Sequence, residues 1–287
     1  MPAPDIPPEI GAFLASLTEQ KPSNDASAVM RAALAGRSAD PIQRPPHGHE
    51  VDAFGRAVAD VQHTLGVLVP QDWTRPAVNG LTVGGLVGHL IGTQLSMAAE
   101  LGLSDPIDAS SDHIEATRRS IAGAADLDPS QAAGEFGRTS EVVTAHLASL
   151  DAQGLAAPAR FGSLVADVRF LLLGRMFELW THDNDLRSAV GLGRIEPDPE
   201  RLWMMTRAVM PLVRLIGDQR IRIVLTGAGG GVWRAEGDEI AEVAVDSVAF
   251  CRRVANRIPV GDLRAEIVGD EATAVAMLAA LAGLALD

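Results

Sequence analysis

The chain has 287 residues, 47% hydrophobic and 21% charged, enough for one large domain or two ordinary ones with a buried core. A formal net charge of −13 argues against binding nucleic-acid phosphates or an anionic membrane surface. No apolar run approaches the roughly 20 residues of a membrane span, and the start MPAPDIPPEIG lacks the basic and apolar regions of a secretory signal. A single cysteine, Cys251, rules out an internal disulfide, so the expected compartment is the reducing cytoplasm.

Residues 1–48 hold eight prolines (Pro2, Pro4, Pro7, Pro8, Pro22, Pro41, Pro45, Pro46) and two short helical patches, Glu9–Leu17 and Ala26–Leu34. They read as an extension, part helix and part linker. His47 and His49 at its end could chelate a metal weakly or simply be solvated. Lys21 is the only lysine and tyrosine is absent, a bias of GC-rich coding such as actinobacterial genomes show.

From residue 49 to 195 the periodicity is helical. Apolar residues at Phe54, Val58, Val61, Leu65 and Leu68 predict a helix over Val51–Leu68. Gln71–Asn79, with Trp73 and Pro76, reads as a loop. Leu81–Leu101 is a second helix, rich in glycine (Gly84, Gly85, Gly88, Gly92); these weaken helix propensity but allow a neighbouring backbone to come close. Ser110–Ala124 follows as a short helix and Ser130–Leu150 and Ser163–Val190 as long ones, so the four long members make a bundle.

Residues 196–287 change character. Pro197, Asp198 and Pro199 open a helix over Glu200–Leu215. Ile221–Leu225 alternates as a strand, TGAGGG at Thr226–Gly231 is a turn, and Val232–Ala235 and Ile240–Val245 are further strand candidates. The glycine run is no phosphate cradle: it lacks GxxxxGK[ST] and no helix follows. Asp246–Ala255 and Asp270–Leu284 are helices. This half is α+β, with an antiparallel sheet as the expected core.

Chemistry concentrates in the last bundle helix. Leu171, Arg175, Glu178, His182 and Asp185 fall at heptad spacing on one stripe flanked by Leu, Phe and Trp. Glu178 and His182, four apart, project from the same face. Buried polar groups are costly unless they meet partners, and a metal ion is one such partner. His89, inside the glycine-rich helix, would complete two imidazoles and a carboxylate with an open fourth position, a catalytic zinc pattern. The same spacing also arises from an ordinary helix ion pair, and no spacing argument joins His89 to the pair. Cys251 has no His or Asp motif close in sequence and reads as a buried small hydrophobe. His63, His113 and His146 lack motif context and read as structural or surface groups.

Several segments in order resemble the mycothiol-dependent maleylpyruvate isomerase family, a branch of the DinB-like metal-binding four-helix bundles. Asp72-Trp73-x-x-Pro76 precedes Leu81-Thr82-Val83-Gly84-Gly85-Leu86-Val87-Gly88-His89-Leu90, which is similar to the family segment W-T-V-x-D-L-V-x-H-L. Phe177-Glu178-x-x-x-His182-x-x-Asp185-Leu186 is similar to its E-x-x-x-H-x-x-D-L segment. Ile221–Val224, the Trp233 turn, Asp246–Arg257 and Gly261-Asp262-Leu263 resemble the small sterol-carrier-like α/β domain of many members. The resemblance covers about residues 50–287; Leu81 stands where the family usually has tryptophan, and Gly85 where it has an acidic residue.

The resemblance implies a DinB-like bundle followed by a small sterol-carrier-like α/β domain. It implies His89, Glu178 and His182 as ligands of zinc or another divalent metal, with water at the remaining position. It implies mycothiol as thiol cosubstrate. Asp185 is a candidate to orient His182, and Arg257, at the end of a tail-domain helix, to hold a substrate carboxylate. A thiol with pKa about 8.5 is mostly protonated at neutral pH, and binding to zinc deprotonates it. The expected function is a mycothiol S-transferase or thiol-assisted isomerase acting on a small electrophile, with no nucleic-acid or membrane partner. The alternatives are a non-catalytic binding or regulatory protein on the same scaffold and a metal-dependent hydrolase. A dimer is compatible with the sequence, which does not decide the oligomeric state.

Overall fold

An aspartate or threonine starts almost every helix. Thr82 accepts from the Gly85 amide, Asp128 from Ser130 and Gln131, Asp167 from Phe170, Asp198 from Arg201, Asp246 from Ala249 and Asp270 from Thr273. Each cap satisfies backbone donors that the first helical turn leaves without partners. Pro129 and Pro199 reinforce two of these starts at positions where the missing N–H costs nothing.

The computed structural model describes residues 50–104, 113–124, 127–161 and 164–285. The extension over 1–48, its two helical patches and the His47/His49 pair lie outside the described residues. The helices in chain order are α1 (Glu50–Val67), α2 (Val83–Glu100), α3 (His113–Ala124) and α4 (Pro129–Ser149). A short hairpin follows, β1 (Pro158–Phe161) and β2 (Leu164–Asp167), then α5 (Val168–Ala189) and α6 (Pro199–Ile216). The last part is β3 (Ile221–Thr226), β4 (Gly231–Trp233), β5 (Ala241–Asp246), α7 (Ser247–Val254), β6 (Ala265–Gly269) and α8 (Glu271–Ala280). The architecture is α+β, a helical first part and a small sheet at the C-terminal end.

α1, α2, α4 and α5 form the bundle. Phe54, Val61, Leu86, Leu90, Phe136, Leu147, Leu172 and Leu179 fill its interior. α3 lies against α2 through the glycines. A Cβ on Gly88 would sit 2.7 Å from the Ser120 carbonyl oxygen and 2.8 Å from the Ile121 Cα, so only glycine permits this approach. Gly84 serves likewise under the Trp73 indole, whose Nε1 donates to the Ala124 carbonyl at 3.2 Å.

Two sequence expectations need correction. Residues 164–167 are not the start of the last bundle helix but strand β2, paired antiparallel with β1. Asp167 ends that strand and caps α5, so the apolar run of the hairpin merges with that of the helix in sequence. The C-terminal sheet is not all antiparallel. Its order is β4-β3-β5-β6, and β3 runs parallel to β5. Residues 234–240 return past the start of β3, where the Glu236 amide donates to the Gln219 carbonyl and Ile240 to Arg220, and this brings β5 in on the far side. β6 was not anticipated; it closes the sheet antiparallel to β5.

The segment joining bundle and sheet is pinned. Asn184 accepts from the Ile195 amide at 2.8 Å and, with Trp180, donates to its carbonyl. Ion pairs tie α6 to α1: Arg201 with Asp60 at 2.6 Å and Arg56 with Glu200 at 2.7 Å. Asp183 on α5 is fully buried, and neither of its oxygens has a well-formed hydrogen bond among the described residues. Burial pushes its carboxyl up to about 6; the neighbouring Thr64 hydroxyl and Arg187 cation pull the other way and lose.

Two predictions follow from this packing. Gly88→Ala should cost about 1–3 kcal/mol through forced backbone movement. Gly85→Ala, whose Cβ would meet Leu81 at an ordinary 3.5 Å, should be neutral or stabilising by up to about 1 kcal/mol. Equal effects in urea denaturation would refute the close-approach account. For Asp183 the folded pKa lies above the unfolded one. The stability it contributes is therefore full below pH about 4 and lost as pH rises through about 6. Asp183→Asn should raise unfolding free energy at pH 8 by up to ~3 kcal/mol and do little at pH 4, and a gain independent of pH would contradict a raised pKa.

Candidate metal centre

α5 carries its polar stripe into the bundle because one face must meet α2 while the next meets the C-terminal unit. Arg175 and His182 are 2% exposed and Glu178 and Asp185 are half-buried, so none is an ordinary surface ion pair. His89 on α2 is buried opposite them. His89 Nε2 lies 3.0 Å from Glu178 Oε1, and the two imidazoles meet edge to face with centroids 5.0 Å apart. One ligand atom each from His89, Glu178 and His182 falls within 4.8 Å of the others. The fold thus makes the link that spacing alone could not.

The other polar groups of the stripe are held in two directions. Arg175 donates to Glu178 Oε2 and, across the helix interface, to the Thr93 hydroxyl. It fastens one carboxylate oxygen and leaves Oε1 toward the histidines. Asp185 Oδ2 lies 3.0 Å from His182 Nδ1, and Arg257 grips the same carboxylate through Nε at 2.9 Å and Nη2 at 2.8 Å. Burial alone would raise the Asp185 carboxyl; the hydrogen bonds from His182 and Arg257 outweigh it and hold the group below the ordinary carboxylate value. An ionised carboxylate only accepts, so His182 donates from Nδ1 and bears its lone pair on Nε2.

That Nε2 is buried and has no hydrogen-bond partner among the described residues. A buried lone pair without a donor, beside a second imidazole and a carboxylate, fits a divalent cation with mixed nitrogen and oxygen ligands. Beside it opens a cleft of about 670 Å³ between α5, α6 and the C-terminal end. Phe170, Leu173, Phe177, Val209 and Leu212 make its walls apolar, with Glu178 and His182 reaching it.

All five residues singled out from sequence come together. Arg257 lies beside the cluster with its guanidinium engaged by Asp185. Arg187, two residues on, turns away from Asp185 to the Thr64 hydroxyl and the Gly193 carbonyl. Thr93 escaped the sequence reading, although His89 and Thr93 share the i, i+4 spacing of Glu178 and His182. His63 and His146 stand outside the cluster, and the His113 side chain lies outside the described residues.

Residues 54–187 match the family model described as the mycothiol maleylpyruvate isomerase N-terminal domain. Two crystal structures of the mycothiol-dependent maleylpyruvate isomerase share the fold. One is 14% identical with a TM-score of 0.58; the other, a histidine-to-alanine mutant, is 13% identical with a TM-score of 0.57. Each alignment covers 79% of this chain and 96% of the other. No curated protein matches the chain. Among the described residues no helix is long and apolar enough to cross a membrane.

Cys251 takes no part in this cluster. It is fully buried in α7, and burial, assisted by Asp246, pushes its thiol up. A thiol reagent should label the native protein far more slowly than the guanidinium-unfolded chain, which should give one thiol per chain. Rapid native labelling would show Cys251 to be accessible.

Proposed function

We propose, starting from a bundle whose residues 54–187 match the mycothiol maleylpyruvate isomerase N-terminal domain model, that this chain is a metal-dependent enzyme using a low-molecular-weight thiol, mycothiol, against a small electrophile. The observation that carries this reading is the buried His182 Nε2, left without a partner next to His89 and Glu178. These three residues would hold zinc or a similar divalent ion. When bound, such an ion supplies Lewis acidity that deprotonates a coordinating thiol at neutral pH.

The chain's own residues do the rest. Asp185 fixes the His182 ring and tautomer, and Arg257 keeps Asp185 ionised and in place. Arg175 and Thr93 fix the Glu178 carboxylate. Orienting contacts of this kind typically matter about 10–100-fold in metal affinity. The apolar walls of the cleft exclude water from an attacking sulfur and strengthen local electrostatics. A thiol that adds to an activated alkene and leaves again gives isomerisation; one that stays attached gives transfer. The same residues serve both outcomes, with the bundle over 49–195 as the metal-carrying unit, the tail over 196–287 supplying Arg257, and 1–48 as an added extension. Burial of the only cysteine fits a cytoplasmic enzyme whose sulfur arrives with its cosubstrate.

Elemental analysis should find about one divalent metal per chain, lost in His182→Ala and bound about 10–100-fold more weakly in Asp185→Asn. In the cobalt-substituted protein, mycothiol should produce a sulfur-to-cobalt charge-transfer band. No metal after zinc loading would overturn the enzyme reading in favour of a binding protein. Turnover of ester or amide without thiol would favour hydrolysis.

A further inference from the structure

The helix that carries the polar stripe has an apolar stripe beside it. Phe170, Leu173 and Phe177 on α5 recur at i, i+3 and i+7, so they share one face. That face lines the cleft beside the metal cluster, together with Ala208 and Leu212 of α6 and Leu284 of the C-terminal end. Phe170, Leu173, Phe177, Leu212 and Leu284 are only half-buried. Each keeps apolar surface in contact with water inside a concave space of about 670 Å³. Leaving such surface wet is unfavourable, and apolar surface gathered in a concave place marks a binding site. A space of that size suits a small molecule rather than a helix or a protein surface.

Charge decides which kind of small molecule. Among the described residues no lysine or arginine lines the cleft, and its ionisable groups are Glu178 and His182. Arg257 is bonded to Asp185 and does not line it. An anion drawn into the cleft would give up water against leucine and phenylalanine side chains. It would meet the Glu178 carboxylate and no fixed cation on the wall, in a chain whose net charge is −13. A cation would give up water too, and the one carboxylate there is already engaged by Arg175 and His89. An uncharged apolar molecule meets neither penalty and covers the exposed side chains.

We propose that this cleft is the binding subsite of an uncharged molecule with an apolar body, an aromatic ring or an alkyl chain, and that this molecule is the electrophile. The cleft and the metal cluster share Glu178 and His182, so a molecule seated among the apolar side chains ends beside the cluster. Leu173, Ala208 and Leu212 then set its size and shape. Calling the molecule the electrophile rests on the enzymatic reading above; binding of an uncharged apolar molecule rests on the cleft alone.

Fluorescence titration of the full-length protein with N-phenylnaphthylamine, an uncharged apolar dye, tests this before and after metal removal by a chelator. The dye should bind in both states. Octanol should displace it, and octanoate, the same chain with a charged end, should compete about tenfold more weakly in the chelated protein. Ala208→Phe, which fills the cleft, and Leu173→Gln, which makes its wall polar, should each weaken the dye about tenfold, with thermal unfolding showing the fold retained. Dye binding that survives chelation and falls in these variants supports the subsite even where no metal is found and the enzymatic reading fails. Loss of the dye on chelation of a still-folded protein would place it on the metal and overturn the subsite, as would an affinity unchanged in both variants. Octanoate competing as well as octanol would overturn the uncharged assignment.

Discussion

A single helix face holds Arg175, Glu178, His182 and Asp185, and burying that stripe is the constraint on which the arrangement depends. A helix cannot satisfy such side chains from its own backbone, and leaving one charged partner alone in the interior costs about 3–5 kcal/mol. Partners must come from elsewhere in the chain. α2 brings His89 and Thr93, and the residues after α7 bring Arg257. The rotation of α5, the depth of α2 and the seating of the C-terminal unit all serve to bring partners to this stripe, while Arg175 Nε and His182 Nε2 stay without one among the described residues.

The glycines of α2 serve the same requirement from behind. His89 can point toward α5 only if the opposite side of α2 has somewhere to go. Gly88 lets α3 close to backbone contact there, and Gly84 makes room for Trp73. Sequence periodicity showed the helices, and the polar residues on an apolar helix marked the cluster, because both signals are local. The glycine spacing suggested close approach without naming α3 as the neighbour. What periodicity missed was non-local. The β1–β2 hairpin hides in the apolar run before Asp167. The parallel pairing of β3 with β5 depends on where residues 234–240 pass, and β6, with Glu266 and Ile267 between small residues, carries too weak an alternation to stand out. Asn184 reads as an ordinary helical polar residue until Ile195 folds back on it.

Arg257 ties the C-terminal unit to the polar stripe of the bundle. Asp185 sits where burial would favour its neutral form, and a protonated carboxyl can donate a hydrogen bond. Were it to donate to His182 Nδ1, the ring would carry its proton on Nε2, facing His89 and Glu178, and could not act as a ligand there. The hydrogen bonds from His182 and Arg257 together outweigh burial and favour the ionised carboxylate, which can only accept from Nδ1. A residue just after α7 thus shares a carboxylate with an imidazole in the bundle.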